Sequence, residues 1–296
     1  MTLLVFLLAS IIGGSNAALV KFTVNQFPPV VLVALRAFLA TLFTLPFIYL
    51  QKSELRLSND KKYLIVANFL FALNWLFFAT GVQHTSVIMS QVLYVPTSLI
   101  VAFLGFLFLK EKLSLSQIFG LMLTLFGMSI LIYGSAKSQD LLSFGTPLGN
   151  VLIILGLLSW SLYTIVSRKI SQVYTPLTIT FYNFLLTTLF ASLIIPIELK
   201  SRGLILTNIT TGGILSLLSI AFFNSVLFFG LYQWVIKHTS AFISSLILYT
   251  TPIIAAFTGI IFFNERLTFN LVAASILIFL GVFFATSYQY AINYFK

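Results

Sequence analysis

The sequence predicts an all-α integral membrane protein, ten transmembrane helices arranged as two five-helix repeats of inverted topology. Three observations predict it. Of 296 residues, 59% are hydrophobic and only 7% are charged, whereas soluble domains carry about a quarter charged residues. The apolar runs are about 20 residues long, enough to cross a bilayer core, and only short polar segments separate them. The first half of the chain also recurs in the second.

Charges, prolines and turn residues bound spans near 2–22, 30–50, 62–82, 86–108, 115–135, 147–167, 177–198, 213–236, 240–263 and 269–290. The first span has the small residues of a signal-peptide cleavage region, Gly13, Gly14, Ser15 and Ala17. No Lys or Arg precedes it, so the sequence favours a retained helix. Thr85–Ser86 and Thr239–Ser240 precede spans 4 and 9 as caps. Ser114 with Gln117 forms a capping box for span 5, and Thr268 caps span 10.

Lysines and arginines give the orientation. Alternating connections put ten on one side (Lys52, Arg56, Lys61, Lys62, Lys110, Lys112, Arg168, Lys169, Lys237 and Lys296) and five on the other (Lys21, Lys137, Lys200, Arg202 and Arg266). The richer side faces the cytoplasm, which places both termini there in an inner (plasma) membrane. The formal charge of +10 therefore marks topology and anionic headgroups of membrane lipids, not nucleic acid.

A shift of 154 residues lays QHTSVIMSQ (83–91) over KHTSAFISS (237–245). Downstream it matches Ala102, Phe103, Gly105, Phe108, Glu111, Leu113 and Gly127 to Ala256, Phe257, Gly259, Phe262, Glu265, Leu267 and Gly281. A shift of 147 relates the earlier spans, with Lys21 on Arg168, Pro29 on Pro176, and Thr41, Leu42 and Phe43 on Thr188, Leu189 and Phe190. The units are 1–135 and 147–296, joined by a linker at 136–146. Five spans per unit is an odd number, so the second unit enters from the opposite face. Inverted repeats of this kind are a mark of secondary transporters.

KEKLSLSQIFGLMLTLFG (110–127) and NERLTFNLVAASILIFLG (264–281) resemble the signature that follows the fourth and ninth helices of EamA-type members of the drug/metabolite transporter (DMT) superfamily. LRAFLA (35–40), Pro96 and Pro252 resemble further family positions. The resemblance covers the whole chain. It implies a central cavity lined by spans 1, 3, 4, 6, 8 and 9, and carriage of amino acids, amines or related small molecules. In the second copy Asn183 stands opposite Arg36, so whatever Arg36 does is done once.

The substrate-contact candidates are Asn16, Asn74, Ser90, Gln91, Tyr94, Trp160, Tyr163, Asn224, Ser245 and Tyr249. Ser90, Gln91, Tyr94, Ser245 and Tyr249 surround Pro96 and Pro252, which remove a helical hydrogen bond and free the carbonyls of Val92 and Leu248. Trp160 and Tyr163 share a helix face, and Asn74 and Asn224 lie mid-span at related depths. The plainer alternative for each asparagine is a bond to a neighbouring helix. Arg36 either meets an anionic substrate or gate, or it snorkels to the outer interface or holds backbone carbonyls, and a peripheral second span favours the latter pair. Glu111 and Glu265 sit at the membrane edge, where a structural role is favoured over proton carriage.

The sequence has no Walker loop, no GxGxxG, no HExxH and no cysteine, so it offers no nucleotide hydrolysis, metal site or catalytic residue, and it calls for no cofactor. The expected partner is a small-molecule substrate, with a homodimer also compatible. The reading is a secondary transporter of small amphipathic metabolites, as an exporter in one form. The alternatives are a membrane sensor or assembly protein, or, less in keeping with the residues, a membrane-embedded enzyme. The orientation has a direct test: a reporter active only in the periplasm, fused to Lys296, should give no signal. A strong signal would break the ten-span arrangement.

Overall fold

The structure is a computed structural model. It describes the chain apart from residues 1, 51–54, 56–60, 110–112, 138–139, 172, 203–208, 232–240 and 295–296, and gives backbone alone at 2–7, 109, 141, 168, 201–202, 241–250 and 286–294. In chain order the helices are α1 (Thr2–Val24), α2 (Pro29–Leu50), α3 (Lys61–His84), α4 (Val87–Tyr94), α5 (Thr97–Leu109), α6 (Leu115–Lys137) and the short α7 (Leu141–Phe144). Then come α8 (Pro147–Ile170), α9 (Pro176–Arg202), α10 (Thr211–Ala221), a π-helical turn at Phe222–Leu227, α11 (Ala241–Phe263) and α12 (Phe269–Tyr294).

Among the described residues there is no strand. Seven helices are long and apolar enough to cross a membrane, and three shorter apolar stretches, Leu8–Val24, Thr251–Phe263 and Phe269–Ala285, coincide with expected spans 1, 9 and 10. The chain is therefore a multi-pass helical membrane protein. The expected linker contains α7 and Gly145, whose φ of 62° packs its backbone against Thr85, where a Cβ would not fit.

Two spans differ from expectation. Span 4 breaks in two at Val95–Pro96, and the Val92 carbonyl, expected to be free, accepts the Val95 N–H at 3.2 Å. The Leu99 and Ile100 N–H groups then both fall on the Pro96 carbonyl at 3.0 Å and restart the helix. Pro252, the mid-span proline of the second half, two positions beyond the residue that the 154-residue shift sets against Pro96, lies inside an unbroken α11, so the two prolines do not act alike. Span 8 changes from α to π at Phe222, which no sequence feature announced.

Helix ends inside a membrane need partners for their free N–H groups. The expected caps of spans 5 and 10 form, while Thr239–Ser240 lie outside the described residues: Ser114 N–H donates to Gln117 Oε1 (2.9 Å) and Gln117 N–H to Ser114 Oγ (3.3 Å), and Thr268 Oγ1 accepts from Leu271 N–H (3.3 Å). At α2 the cap comes from another helix. Buried Glu198 of α9 accepts the Val30 and Val31 N–H groups, both at 3.1 Å.

The most extensive helix contacts are α3 with α8, α6 with α12, α2 with α9 and α1 with α11, and each joins the first half of the sequence to the second. The α6–α12 contact is backbone-close, because Gly120 lies against the Gly281 carbonyl and Gly127 against Ile278 and the Ala274 carbonyl. A Cβ on Gly120 would overlap the Gly281 oxygen, whereas one on Gly230 would meet nothing within 4 Å. Gly120→Val should therefore cost roughly 1–3 kcal/mol by overpacking and lower the midpoint of thermal unfolding in detergent. Gly230→Ala should leave that midpoint unchanged or raise it slightly; equal losses would show that the α6–α12 contact is looser than described.

Candidate functional site

At the centre of the helices lies a cavity of about 160 Å³. α1 contributes Gly13, Asn16 and Val20, α2 Leu32, Val33 and Arg36, and α3 Asn74, Trp75, Phe78 and Ala79. From the broken fourth span come Gln91, Tyr94 and Thr97. The second half supplies Trp160 from α8, Asn224, Phe228 and Phe229 from the π turn and the residues after it, and Thr251 from α11.

Asn16, Asn74, Gln91, Tyr94, Trp160 and Asn224 thus share one cavity. Ser90 and Tyr163 do not line it. Ser90 is buried and its hydroxyl donates to the Val87 carbonyl at 2.7 Å. Tyr163 packs against Trp160 and Phe71, and its hydroxyl accepts from Asn183 Nδ2 at 2.7 Å. The side chains of Ser245 and Tyr249 and the whole of Glu111 lie outside the described residues, as does His238. The family pattern omitted span 2 from the walls, yet Leu32, Val33 and Arg36 line the cavity.

Asn74 and Asn224 line the cavity and also bond neighbouring helices. Asn74 donates to Tyr94 Oη at 2.6 Å and to the Gly156 carbonyl at 2.9 Å, so it fixes a ring in the wall while tying α3 to α8. Tyr94 is held from the other side by Phe78, edge to face with ring centroids 5.4 Å apart. Asn224 Nδ2 donates to the Ile12 carbonyl of α1. The Oδ1 atoms of Asn16 and Asn224 are enclosed with no hydrogen-bond partner among the described residues.

Arg36 does not snorkel to the interface: it is 7% exposed. It does hold a backbone carbonyl. Nε donates to Ser225 Oγ at 3.0 Å and Nη2 to the Asn224 carbonyl at 3.2 Å, both in the π turn. The guanidinium carbon lies over the Trp75 ring, 4.0 Å from its centroid, a stacked cation–π geometry. Among the described residues the ion pair is Lys21 with Glu265, and no carboxylate meets Arg36. The repeat register sets Tyr163 and Asn183 against Asn16 and Arg36, and those two bond each other. That polar pair lies outside the cavity wall, with Asn183 Oδ1 enclosed and unpartnered among the described residues, whereas Arg36 lines the cavity.

At one edge of the helices Glu265, 4% exposed, reaches from the α11–α12 turn to the start of α4. Its oxygens accept the Val87 N–H at 2.6 Å and the Ile88 N–H at 3.0 Å. Lys21 of α1 pairs with it at 3.4 Å and donates to the Thr85 carbonyl at 2.5 Å. Sequence spacing placed Glu265 at a membrane edge but gave no sign of Lys21 or of α4 as its partners. Trp75, Phe78, Phe228 and Phe229 also went unselected, because thirty-two phenylalanines dilute any aromatic signal.

A family profile described as the EamA-like transporter family matches residues 1–133 and 147–287. Among relatives, the Bacillus subtilis strain 168 protein "Uncharacterized transporter YyaM" is 28% identical over 94% of this chain and 90% of its own. A Salmonella typhimurium protein named "Probable amino-acid metabolite efflux pump" is 26% identical over 94% of this chain and 92% of its own. A solved structure described only as the crystal structure of a protein shares the fold, with a TM-score of 0.65 at 17% identity over 98% of each chain.

The Glu265 cluster yields a stability test. Glu265→Ala leaves two helix N–H groups and an ammonium without their acceptor, and removing one partner of a buried pair costs about 3–5 kcal/mol. Lys21→Met leaves both backbone donors on the carboxylate and should cost less. Unfolding midpoints of the two purified variants rank them; a harmless Glu265→Ala would show that the carboxylate does not hold α4.

Proposed function

Because this chain belongs to the EamA-like transporter family, we propose that it is a secondary transporter moving small amphipathic metabolites, such as amino acids, amines or related compounds, across the inner membrane by alternating access. The observation that carries the reading is the central cavity, whose walls come from both halves and mix apolar rings with mid-membrane polar groups. Residues 1–135 and 147–296 act as the two inverted five-span units of a ten-span chain with cytoplasmic termini, and each extensive helix contact crosses between them. A rocking motion between the units would therefore act directly on the cavity wall.

In this orientation the ends of α1 and α11 and the start of α4 face outward, so the Lys21–Glu265 cluster closes the outer edge and joins the two units there. A cavity of about 160 Å³ is on the scale of one that holds a benzene-sized guest. That favours a small metabolite over a bulky drug. The Salmonella relative supports amino-acid-like cargo and outward movement. With no nucleotide-binding motif in the sequence, transport draws on gradients or exchange.

The proposal is tested at Asn16, which lines the cavity from α1. Asn16→Trp should abolish both uptake and efflux of amino acids by proteoliposomes, counted per folded molecule, because an oversized ring obstructs a path shared by both directions. Undiminished flux through this variant would remove α1 from the pathway.

A further inference from the structure

We propose that Arg36 is the anion-binding end of the cavity and that the ligand carries one carboxylate on a compact apolar body; this rests on the transporter reading above. A guanidinium within a membrane span is costly and needs a partner or a purpose. Arg36 is buried, and no carboxylate meets it among the described residues. Its neighbours orient the group without neutralising it: the Trp75 face, Ser225 Oγ and the Asn224 carbonyl are all uncharged. Of the five N–H donors of a guanidinium, the described bonds engage two. The others are left for a planar acceptor, and a carboxylate matches that fork in geometry and charge.

Charge and size narrow the class. Lys21, the cation of α1, is already paired with Glu265, so Arg36 is the cation that lines the cavity. One cation suits a monoanion better than a phosphate dianion. Trp75 lies against Arg36, and Phe78, Trp160 and Phe229 add apolar rings to a wall that also carries Asn74, Gln91 and Thr251, a mostly apolar lining that favours an apolar body. The π turn has a role here, since it supplies the carbonyl and the hydroxyl that hold the guanidinium in place.

The test uses three shape-matched pairs, benzoate with benzamide, butyrate with butyramide, and phenylalanine with phenylalaninamide, titrated calorimetrically into purified protein. At least one acid should bind tenfold or more tightly than its amide. The ratio should fall to near one in Arg36→Gln and drop partway in Arg36→Lys, which keeps the charge but loses the fork. Failure of all three acids to bind, acid and amide binding equally, or a ratio unchanged in Arg36→Gln would overturn the subsite. If Arg36→Gln does not fold, Arg36→Lys decides, and an unchanged ratio there overturns it. Proteoliposome flux separates the two proposals. An acid preference without flux would sink the transporter reading and leave the subsite, whereas flux of amides and amines with no acid preference would do the reverse.

Discussion

Everything in this structure depends on one constraint: within hydrocarbon, backbone N–H and C=O groups must find partners inside the protein. Long helices meet it along their length, and the difficult places are helix ends and breaks. Some ends carry local caps, as at Ser114 and Thr268, and two are closed by carboxylates sent from elsewhere. Glu198 of α9 closes the start of α2, and Glu265 closes the start of α4. Breaks occur where protein encloses them. The interruption at Val95–Pro96 and the π turn at Phe222–Leu227 both adjoin the cavity, through Tyr94 and Thr97 on one side and Asn224 on the other. Irregular backbone at membrane depth is expected only in such surroundings.

The same constraint explains why the two halves, alike in sequence, are unlike at the centre. Pro96 divides its span while Pro252 does not, and the π turn adjoins Arg36 whereas its counterpart Asn183 bonds Tyr163. A cation at Asn183, which is buried and bonded to Tyr163, would be a second costly charge within a membrane span. Arg36 lines the cavity while the Tyr163–Asn183 pair lies outside its wall, so under the proposed Arg36 subsite a ligand with a charged end and an apolar end would have a preferred direction. The repeat supplies the framework, and substitutions at matched positions supply the chemistry.

Much of the architecture was legible because it follows from composition and spacing. Runs of about 20 apolar residues locate helices with little competition, and capping residues such as Ser114, Gln117 and Thr268 act over three or four positions of local sequence. The cavity was legible in part. Asn16, Asn74, Gln91, Tyr94, Trp160 and Asn224 are polar or amphipathic groups at mid-span, where lipid would not tolerate them. What stayed hidden depends on tertiary approach: the stacking of Arg36 on Trp75, the pairing of Lys21 with Glu265 across 244 positions, and the burial of Ser90 away from the cavity. Tyr163 was misplaced for the opposite reason. It sits on the expected helix face, but Asn183 competes for its hydroxyl and holds it outside the cavity wall.

α1 connects the two functional features of the molecule. Gly13, Asn16 and Val20 face the cavity, and Lys21, the residue after Val20, pairs with Glu265 at the edge. Five residues of helix separate Asn16 from Lys21, about 7.5 Å along the axis, too short a distance for the helix to absorb a displacement by bending. The opposite face of α1 rests on α11, where Gly14 lies against Ile254, and the Glu265 turn follows that same helix. A ligand that tilts α1 from the cavity side therefore acts on the Lys21–Glu265 contact and on the start of α4 together. Because a packed interface of this kind holds discrete arrangements instead of deforming smoothly, the contact would be made or lost as a unit in the proposed transport cycle. The alternating access proposed above needs that property of a closure, and the segment between Asn16, which lines the cavity, and Lys21, which pairs with Glu265, would supply it.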